Sequence, residues 1–501
     1  MRIFGFVVLL FSFLISVEVS AQKIIYPEFH REDDSEIQFE IIGKVGSNYL
    51  VYKNLRSWKH VFEVFDEKMN SLSNKRADFI SDKTNNIDFI AYNDFFYSIY
   101  QYQKNSIVYC DIVAIDGNGK KISNPVTLDT TKIGYIRNNN IYFTRFSEDK
   151  SKILIYKIIE KNEKLTLVTK LYDNKLTLLD SVRKVVPYNS RREVYTDLQV
   201  DNAGGIIYAR ELKSGFRENI SDVEIYNQKP GKAIEVRKLP LENIFIDELK
   251  MKIDNLNNTI IINAFYYSNK IGSIQGIVTG LWNRETNGLK TAVNALPDTL
   301  RMMTQLNDKR QAFDDFFLKD IFVKKDGSFM LVAEDYSVIS RFSNYPWNRW
   351  DYLYNGMYSP SDYYYGNSSN YPYYRYRNSI SGSSYTYRNV LLLGINKDLQ
   401  LEWSNMIMKY QTAENKDIFL SYTTLNTGNE IHFLFIDKEK NTEIITNQSL
   451  SAEGSIVRYP TIKSRESGYD FMPRLSKQVG IKDIIIPSLY RGFVVFTKIE
   501  F

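Results

Sequence analysis

YLVYKNLRSWKHVFEVFD, residues 49–66, sets out a pattern that the rest of the chain repeats. Apolar and polar residues alternate in YLVYK and again in HVFEVFD, with a polar turn between them. A period of two places alternate side chains on one face of a strand. β-Branched and aromatic residues suit such a pleated, half-buried surface. The pair predicts a hairpin, and a further polar segment, EKMNSLSNKRADF, follows it.

The same succession returns along the chain. It recurs as FFYSIYQY with IVYCDIVAID and ISNPVTLD, then as IYFTRFSEDKSKILIYKI with KLTLVTKLYD and NKLTLLDSVRKVV. VYTDLQVDNAGGIIYAREL with ISDVEIYNQ and AIEVRKLPL forms another unit, and TIIINAFYYS with GIVTGLW the next. DIFVKKDGSFMLVAED pairs with NVLLLGINKDLQLEW, and DIFLSYTTL with EIHFLFID and TEIITNQSL. DFMPRLSKQ, DIIIPSLYR and GFVVFTKIEF hold the last strands. Units of about four strands, spaced by roughly 50 to 70 residues, predict radial repetition, an all-β β-propeller. Asp116-Gly117-Asn118-Gly119, Ala203-Gly204-Gly205 and Asp326-Gly327 supply the turns.

Seven full units can be read, and an eighth that lacks a strand. KIIYPEF, residues 23–29, is the candidate for that strand. It would pair the two ends of the chain and close the ring, covering edge groups otherwise open to pairing. Eight blades is the reading, with seven as the alternative. The competing architectures are a pair of β-sandwiches or an α+β chain. Residues 241–256 alternate at Leu249, Met251 and Ile253 and read as mostly strand, whereas 300–317 holds a short connecting helix.

The 501-residue chain opens MRIFGFVVLLFSFLISVEVSAQK. Arg2, an apolar run from Ile3 to Val17 and the small residues Val19-Ser20-Ala21 have the order of a secretory signal, residues 1–21, cleaved before Gln22. The run is shorter than the ~20 residues of a membrane span, and no later stretch is apolar enough for one. The mature chain, 22–501, is therefore expected to be a single exported domain in the periplasm or at the cell surface. Cys110 is the one cysteine, so no intramolecular disulfide can form; amid VYCDIVAID it reads as a small buried strand residue.

Net charge is +5, with Lys and Arg scattered among nearly as many acids. That speaks against a nucleic-acid surface, which needs clustered basic residues. The three histidines, His30, His60 and His432, lie far apart, and no zinc, triad or cofactor motif appears. Asp314-Asp315 and Glu334-Asp335 are the paired carboxylates to weigh as glycosidase candidates. Adjacent strand residues face opposite ways, so both pairs read as solvated turn and edge charges. Asp116 to Gly119 has part of a calcium-loop spacing but lacks the downstream glutamate, and reads as a hairpin turn. Trp403 reads as a ring wedged between blades.

FSEDKSKILIYKI resembles the blade opening of TolB-like propellers, with Glu148 in place of Pro and Lys150 in place of Gly. DIFVKKDGSFMLVAED, the aromatic stretch after it, NVLLLGINKDLQLEWSNMIMKYQ and DIFLSYTTL resemble uncharacterised secreted propellers of the Bacteroidota, over nearly all of the mature chain. The resemblance implies a fold and an exported location and assigns no activity. No separate C-terminal sorting domain of that phylum is read, which favours the periplasm. Asp129-Thr130-Thr131, Asp180-Ser181-Val182 and Asp298-Thr299-Leu300 resemble that phylum's glycosylation tripeptides.

One stretch breaks the pattern. Residues 345–388 hold 13 tyrosines, Trp347 and Trp350, and four Arg against two Asp, with no periodic apolar face. A segment of this length between strands reads as an inserted loop or extended hairpin. Tyr, Trp and Arg dominate binding hot spots because rigid amphipathic rings bury much area at low entropic cost. The candidate partner contacts are Trp347, Arg349, Trp350, Tyr352, Tyr354, Tyr363, Tyr364, Tyr365, Tyr373, Tyr374, Arg375 and Tyr376. The expectation is a non-catalytic scaffold docking on an envelope or outer-membrane protein. The alternatives are a glycan-binding or glycan-processing propeller, or an aromatic loop that only packs over its own domain.

Overall fold

Alternation produces strands wherever it is strong. In the computed structural model the described residues are 22–31, 37–55, 59–81, 84–133, 140–196, 198–213, 219–269, 272–304, 311–340, 349, 382–439, 442–462 and 468–501. The expected leader, 1–21, lies outside them. So does the aromatic stretch, except for Arg349 and the residues from 382 onward.

Seven antiparallel sheets follow one another along the chain. The first pairs Gln38–Val45, Asn48–Leu55, Lys59–Phe65 and Ser71–Arg76 in chain order. Four-stranded sheets over 84–132 and 143–187 repeat this order. A ten-stranded sheet covers 193–295, but its two halves meet only where Phe245–Ile246 bridges Ile220 on one side and Tyr266 and Tyr267 on the other. A five-stranded sheet over 316–414 and a four-stranded one over 422–458 come next. In the last sheet Lys23–Ile25 is the outer strand, with Lys23 opposite Glu500 and Ile25 opposite Lys498.

Both faces of the inner strands are largely buried, whereas the outer strands are partly exposed. All nine residues of Thr259–Tyr267 are covered. The covering comes from the neighbouring sheet, or within the ten-stranded sheet from its other half. Tyr52 and Phe62 pack with Phe89 and Phe96, and Cys110 packs with Ile153 and Tyr172. Leu154 meets Ile206 and Tyr208, Ile207 meets Ile260 and Trp282, and Phe265 meets Phe316 and Leu331. Val332 packs with Phe433, and Leu434 with Ile484 and Ile499. One more cluster joins the last sheet to the first, through Phe39, Tyr49 and Val51 with Ile485 and Phe496. The architecture is all-β and propeller-like. Burying one such side chain contributes about 1.5–3 kcal/mol, so these interfaces carry the fold.

The region 241–256, expected to be mostly strand, is strand only at Phe245–Ile246 and Lys250–Asp254, and the short helix expected within 300–317 begins earlier and spans Asp298–Met303. Cys110 is buried, and burial pushes its thiol well up, keeping it protonated. Asp116 accepts from the N–H groups of Asn118 and Lys120, which makes Asp116 to Gly119 a hairpin turn. Among the described residues no helix is long and apolar enough to cross a membrane.

Trp403 is the wedge between the sheets over 316–414 and 422–458. A Cβ added at Gly394 would stand 2.2 Å from its ring, and one at Gly454 2.3 Å away. Only glycine leaves room on either side. Gly394→Ala is expected to overpack this interface and cost about 1–3 kcal/mol in urea unfolding; unchanged stability would place the ring elsewhere.

Candidate functional site at the root of the long hairpin

Two strands outrun their sheet. Phe329–Ser340 has 12 residues and Ser383–Ile395 has 13. They pair from Phe329 with Ile395 to Ser340 with Ser383, with a register shift between Glu334 and Tyr336. The shift is a β-bulge, a device that bends a strand and re-aims side chains. Beyond it Gln411–Glu414 pairs with residues 384–387 and adds a third strand to the extension. Phe317, Tyr336, Val338, Tyr385, Tyr387 and Leu420 give this root its own apolar core. Tyr385 and Tyr387, read from sequence as part of the loop, are buried strand residues.

Glu334 stands at the centre of a buried ion cluster. Its Oε2 lies 2.5 Å from Lys319 Nζ, and its Oε1 2.7 Å from Lys409 Nζ. The Ser421 hydroxyl donates to Glu334 Oε2 at 2.7 Å, and Lys319 Nζ reaches Ser421 Oγ at 3.1 Å. Gln411 Oε1 accepts from Lys409 Nζ at 3.1 Å and from the Ser421 N–H at 2.8 Å. Ser421 adopts a φ of +69°, a left-handed conformation that is rare for residues other than glycine. Burial pushes the Lys319 amine down to about 8 and lowers that of Lys409. Burial works against the Glu334 carboxylate, but the two lysines still hold it below its usual range. The arrangement is closed to solvent and mutually satisfied, which suits it to fixing geometry.

Flanking ion pairs extend the cluster. Arg388 Nε contacts both oxygens of Asp335, at 3.0 and 3.1 Å, and its Nη2 reaches Asp315 at 2.9 Å. Arg474, in a short 3₁₀ turn between two strands of the last sheet, donates to the Tyr387 hydroxyl at 2.7 Å and to Asp417 at 2.6 Å. Glu334 and Asp335 are therefore not the solvated edge charges that alternation implies. They do face opposite ways, but neighbouring elements cover both faces of their strand.

Arg349 is the one candidate contact residue within the described set, and it is buried. Its Nε lies 2.5 Å from Asp247 Oδ2, and its Nη2 lies 3.4 Å from Glu248 Oε2. Nη1 donates to the Phe316 carbonyl. The guanidinium stacks on Phe317, 4.1 Å from the ring centroid. Asp247 also accepts from the Tyr267 hydroxyl, and Glu248 accepts from the Leu318 N–H at 3.1 Å. Arg349 thus joins the 193–295 sheet to the 316–414 sheet. Trp347, Trp350, Tyr352, Tyr354, Tyr363, Tyr364, Tyr365, Tyr373, Tyr374, Arg375 and Tyr376 lie outside the described residues. No local pattern reveals the Lys319–Glu334–Lys409 cluster, because its members lie far apart in the chain.

Other charges are placed plainly. Asp314 accepts from the Ile274 N–H, and Asp88 from the Thr144 hydroxyl at 2.7 Å. His30 contacts Glu63, His60 meets the Tyr52 hydroxyl at 2.6 Å, and His432 faces Asn447. Among the described residues no group of three or more His, Cys, Asp or Glu is placed to hold a metal ion. Thr130, Ser181 and Thr299 are exposed.

No protein-family model matches the chain, and no curated protein matches it. Similar solved structures include the WD40 domain of SCAP from fission yeast, at 11% identity and a TM-score of 0.40, covering 96% of this chain and 98% of that one. The β-propeller domain of the Trilobed protease from Pyrococcus furiosus is 8% identical at a TM-score of 0.37, covering 83% of this chain and 96% of that one. Prolyl oligopeptidase B from Galerina marginata is 9% identical at a TM-score of 0.40, with 90% of this chain and 55% of that one covered.

Two outcomes are expected. Glu334→Ala leaves Lys319 and Lys409 buried without a counter-ion and should cost about 3–5 kcal/mol in chemical denaturation; a change near zero would mean the lysines reach solvent. The second concerns pH. Burial, with Glu248 and Asp247 nearby, pushes Glu211 up to about 8. Burial likewise takes Glu248 and Asp88 to about 7. These native carboxyls hold protons that the unfolded chain has released, so their stabilisation is full below the unfolded value and is lost as pH rises through the native one. The melting temperature should fall between about pH 5 and 8, and Glu211→Gln with Glu248→Gln should flatten the profile. A rise over that interval in calorimetry would contradict it.

Proposed function

We propose that the chain is an eight-bladed β-propeller, closed by Lys23–Ile25 against Phe493–Glu500, that works as a non-catalytic, exported scaffold of the cell envelope. On this reading it belongs with the secreted Bacteroidota propellers that its sequence resembles. It docks on a protein partner, such as an outer-membrane complex, through the aromatic segment carried by the long hairpin.

The support for the ring is the succession of interfaces, in which the last sheet packs on the first. The eighth blade follows from dividing the ten-stranded sheet at Phe245–Ile246. The observation that carries the docking role is the root of the hairpin. Strands on both sides of the segment are paired to Ser340 and Ser383, cored by their own aromatics and tied down by buried charges. A recognition element gains affinity when its conformational freedom is already restricted, and loops on a rigid scaffold commonly carry binding. A glycan-processing alternative would rest on Glu40 and Asp88, which lie close enough to raise the Glu40 carboxyl further. Both are buried, so the scaffold reading stands ahead.

The test replaces residues 351–381 with a short Gly/Ser linker, which keeps Arg349 and both strands. Crosslinking with mass spectrometry in native envelopes then compares the two proteins. The expected result is an unchanged melting temperature and the loss of the crosslinked partner. An unchanged partner set removes the role of the segment, and selective hits on a carbohydrate array would move the reading to glycans.

A further inference from the structure

The outer strand Leu178–Pro187 is ten residues long, whereas the other outer strands among the described residues reach at most eight. Among the described residues it pairs only with Lys164–Asp173, and no described strand pairs with its far edge. One face is half-buried: Lys184 lies over the Tyr226 ring at 4.5 Å, and Val186 packs on the core. The other face presents Leu179, Ser181, Arg183 and Val185 to solvent, with Leu179 44% and Val185 50% exposed.

Charge singles out the same edge. Residues 160–192 hold eight Lys and Arg against four Asp and Glu, an excess of four in a chain whose total is +5. Lys161, Lys164, Lys175, Arg183, Arg191 and Arg192 are exposed there, against Glu160 and Glu163. Natural edge strands are protected from self-pairing by such charges. A second copy paired antiparallel about Arg183 would set Arg183 against Arg183, and like charges directly opposite destabilise a pair.

We infer that Leu178–Pro187 is a strand-addition site for an extended acidic polypeptide segment, separate from the aromatic segment. Such a partner completes the ladder with its backbone and lays apolar residues against Leu179 and Val185. Its carboxylates face Arg183 and the surrounding lysines and arginines.

The experiment uses the mature chain and two fluorescein-labelled peptides, one alternating glutamate and valine and the other lysine and valine. Fluorescence anisotropy at low salt is expected to show the acidic peptide binding at least about tenfold tighter than the basic one. Hydrogen exchange should slow within residues 178–187. Arg183→Glu with Val185→Glu, both exposed and outside the core, should weaken binding about tenfold with the melting temperature retained. Equal binding of the two peptides, protection elsewhere, or self-association through this strand overturns the proposal. So does heparin displacing the peptide from a protein whose strand amides were never protected.

Discussion

A sheet that is apolar on both faces must be covered on both faces, and among the described residues no single helix or loop is large enough to do it. Only another sheet of the same kind is. Every unit therefore gains from two neighbours, and on the proposed closed ring the first and last units serve each other. The cluster of Phe39, Tyr49 and Val51 with Ile485 and Phe496 meets that need. The pairing of Lys23–Ile25 with the final strand adds backbone hydrogen bonds to the same junction. With the faces used up by packing, the outer strands, the connections and the inserted segment are what remain for function.

The same constraint explains the buried charges. A strand covered on both sides has no solvated face on which to place a carboxylate. Where Glu334 and Asp335 occur in such a strand, each must bring its own cations: Lys319 and Lys409 for one, Arg388 for the other. Replacing a buried ion cluster by apolar residues of similar size often leaves stability unchanged or higher, so the cluster is weak evidence for stability as such. What it adds is discrimination. Slipping either strand by one residue would separate Glu334 from both lysines and turn Asp335 away from Arg388. The long hairpin is held to one register at the bulge where it leaves the sheet.

Much of the architecture was legible because the period of the hydrophobic pattern is local. YLVYK, HVFEVFD and their counterparts declare strands within a few residues, and Asp116 to Gly119 declares its turn. Trp403 was readable as an inter-sheet wedge because so large an apolar ring in a strand has few other places to go. The site was far less legible. Reading Glu334 and Asp335 as edge charges assumed one wet face, which holds for an isolated hairpin and fails for a stacked sheet. Arg349 counted in the sequence as one more contact residue in an aromatic run. Its partners, Asp247 and Glu248, lie about a hundred positions earlier, and no local pattern reports a pairing at that separation.

That inward turn bears on how the aromatic segment can work. Its rings gain little from a partner if the chain that carries them must first be ordered, since ordering costs about 1–2 kcal/mol for each backbone residue fixed. Arg349, held by two carboxylates, a backbone carbonyl and the Phe317 ring, fixes a point within the segment close to where it leaves Phe329–Ser340. The return strand fixes the other end at Ser383. Both attachments are made before any partner arrives, and the segment between them is shortened by that much. On the docking proposal, the buried charges at the root restrict the chain, and the aromatic residues beyond it supply the contact chemistry.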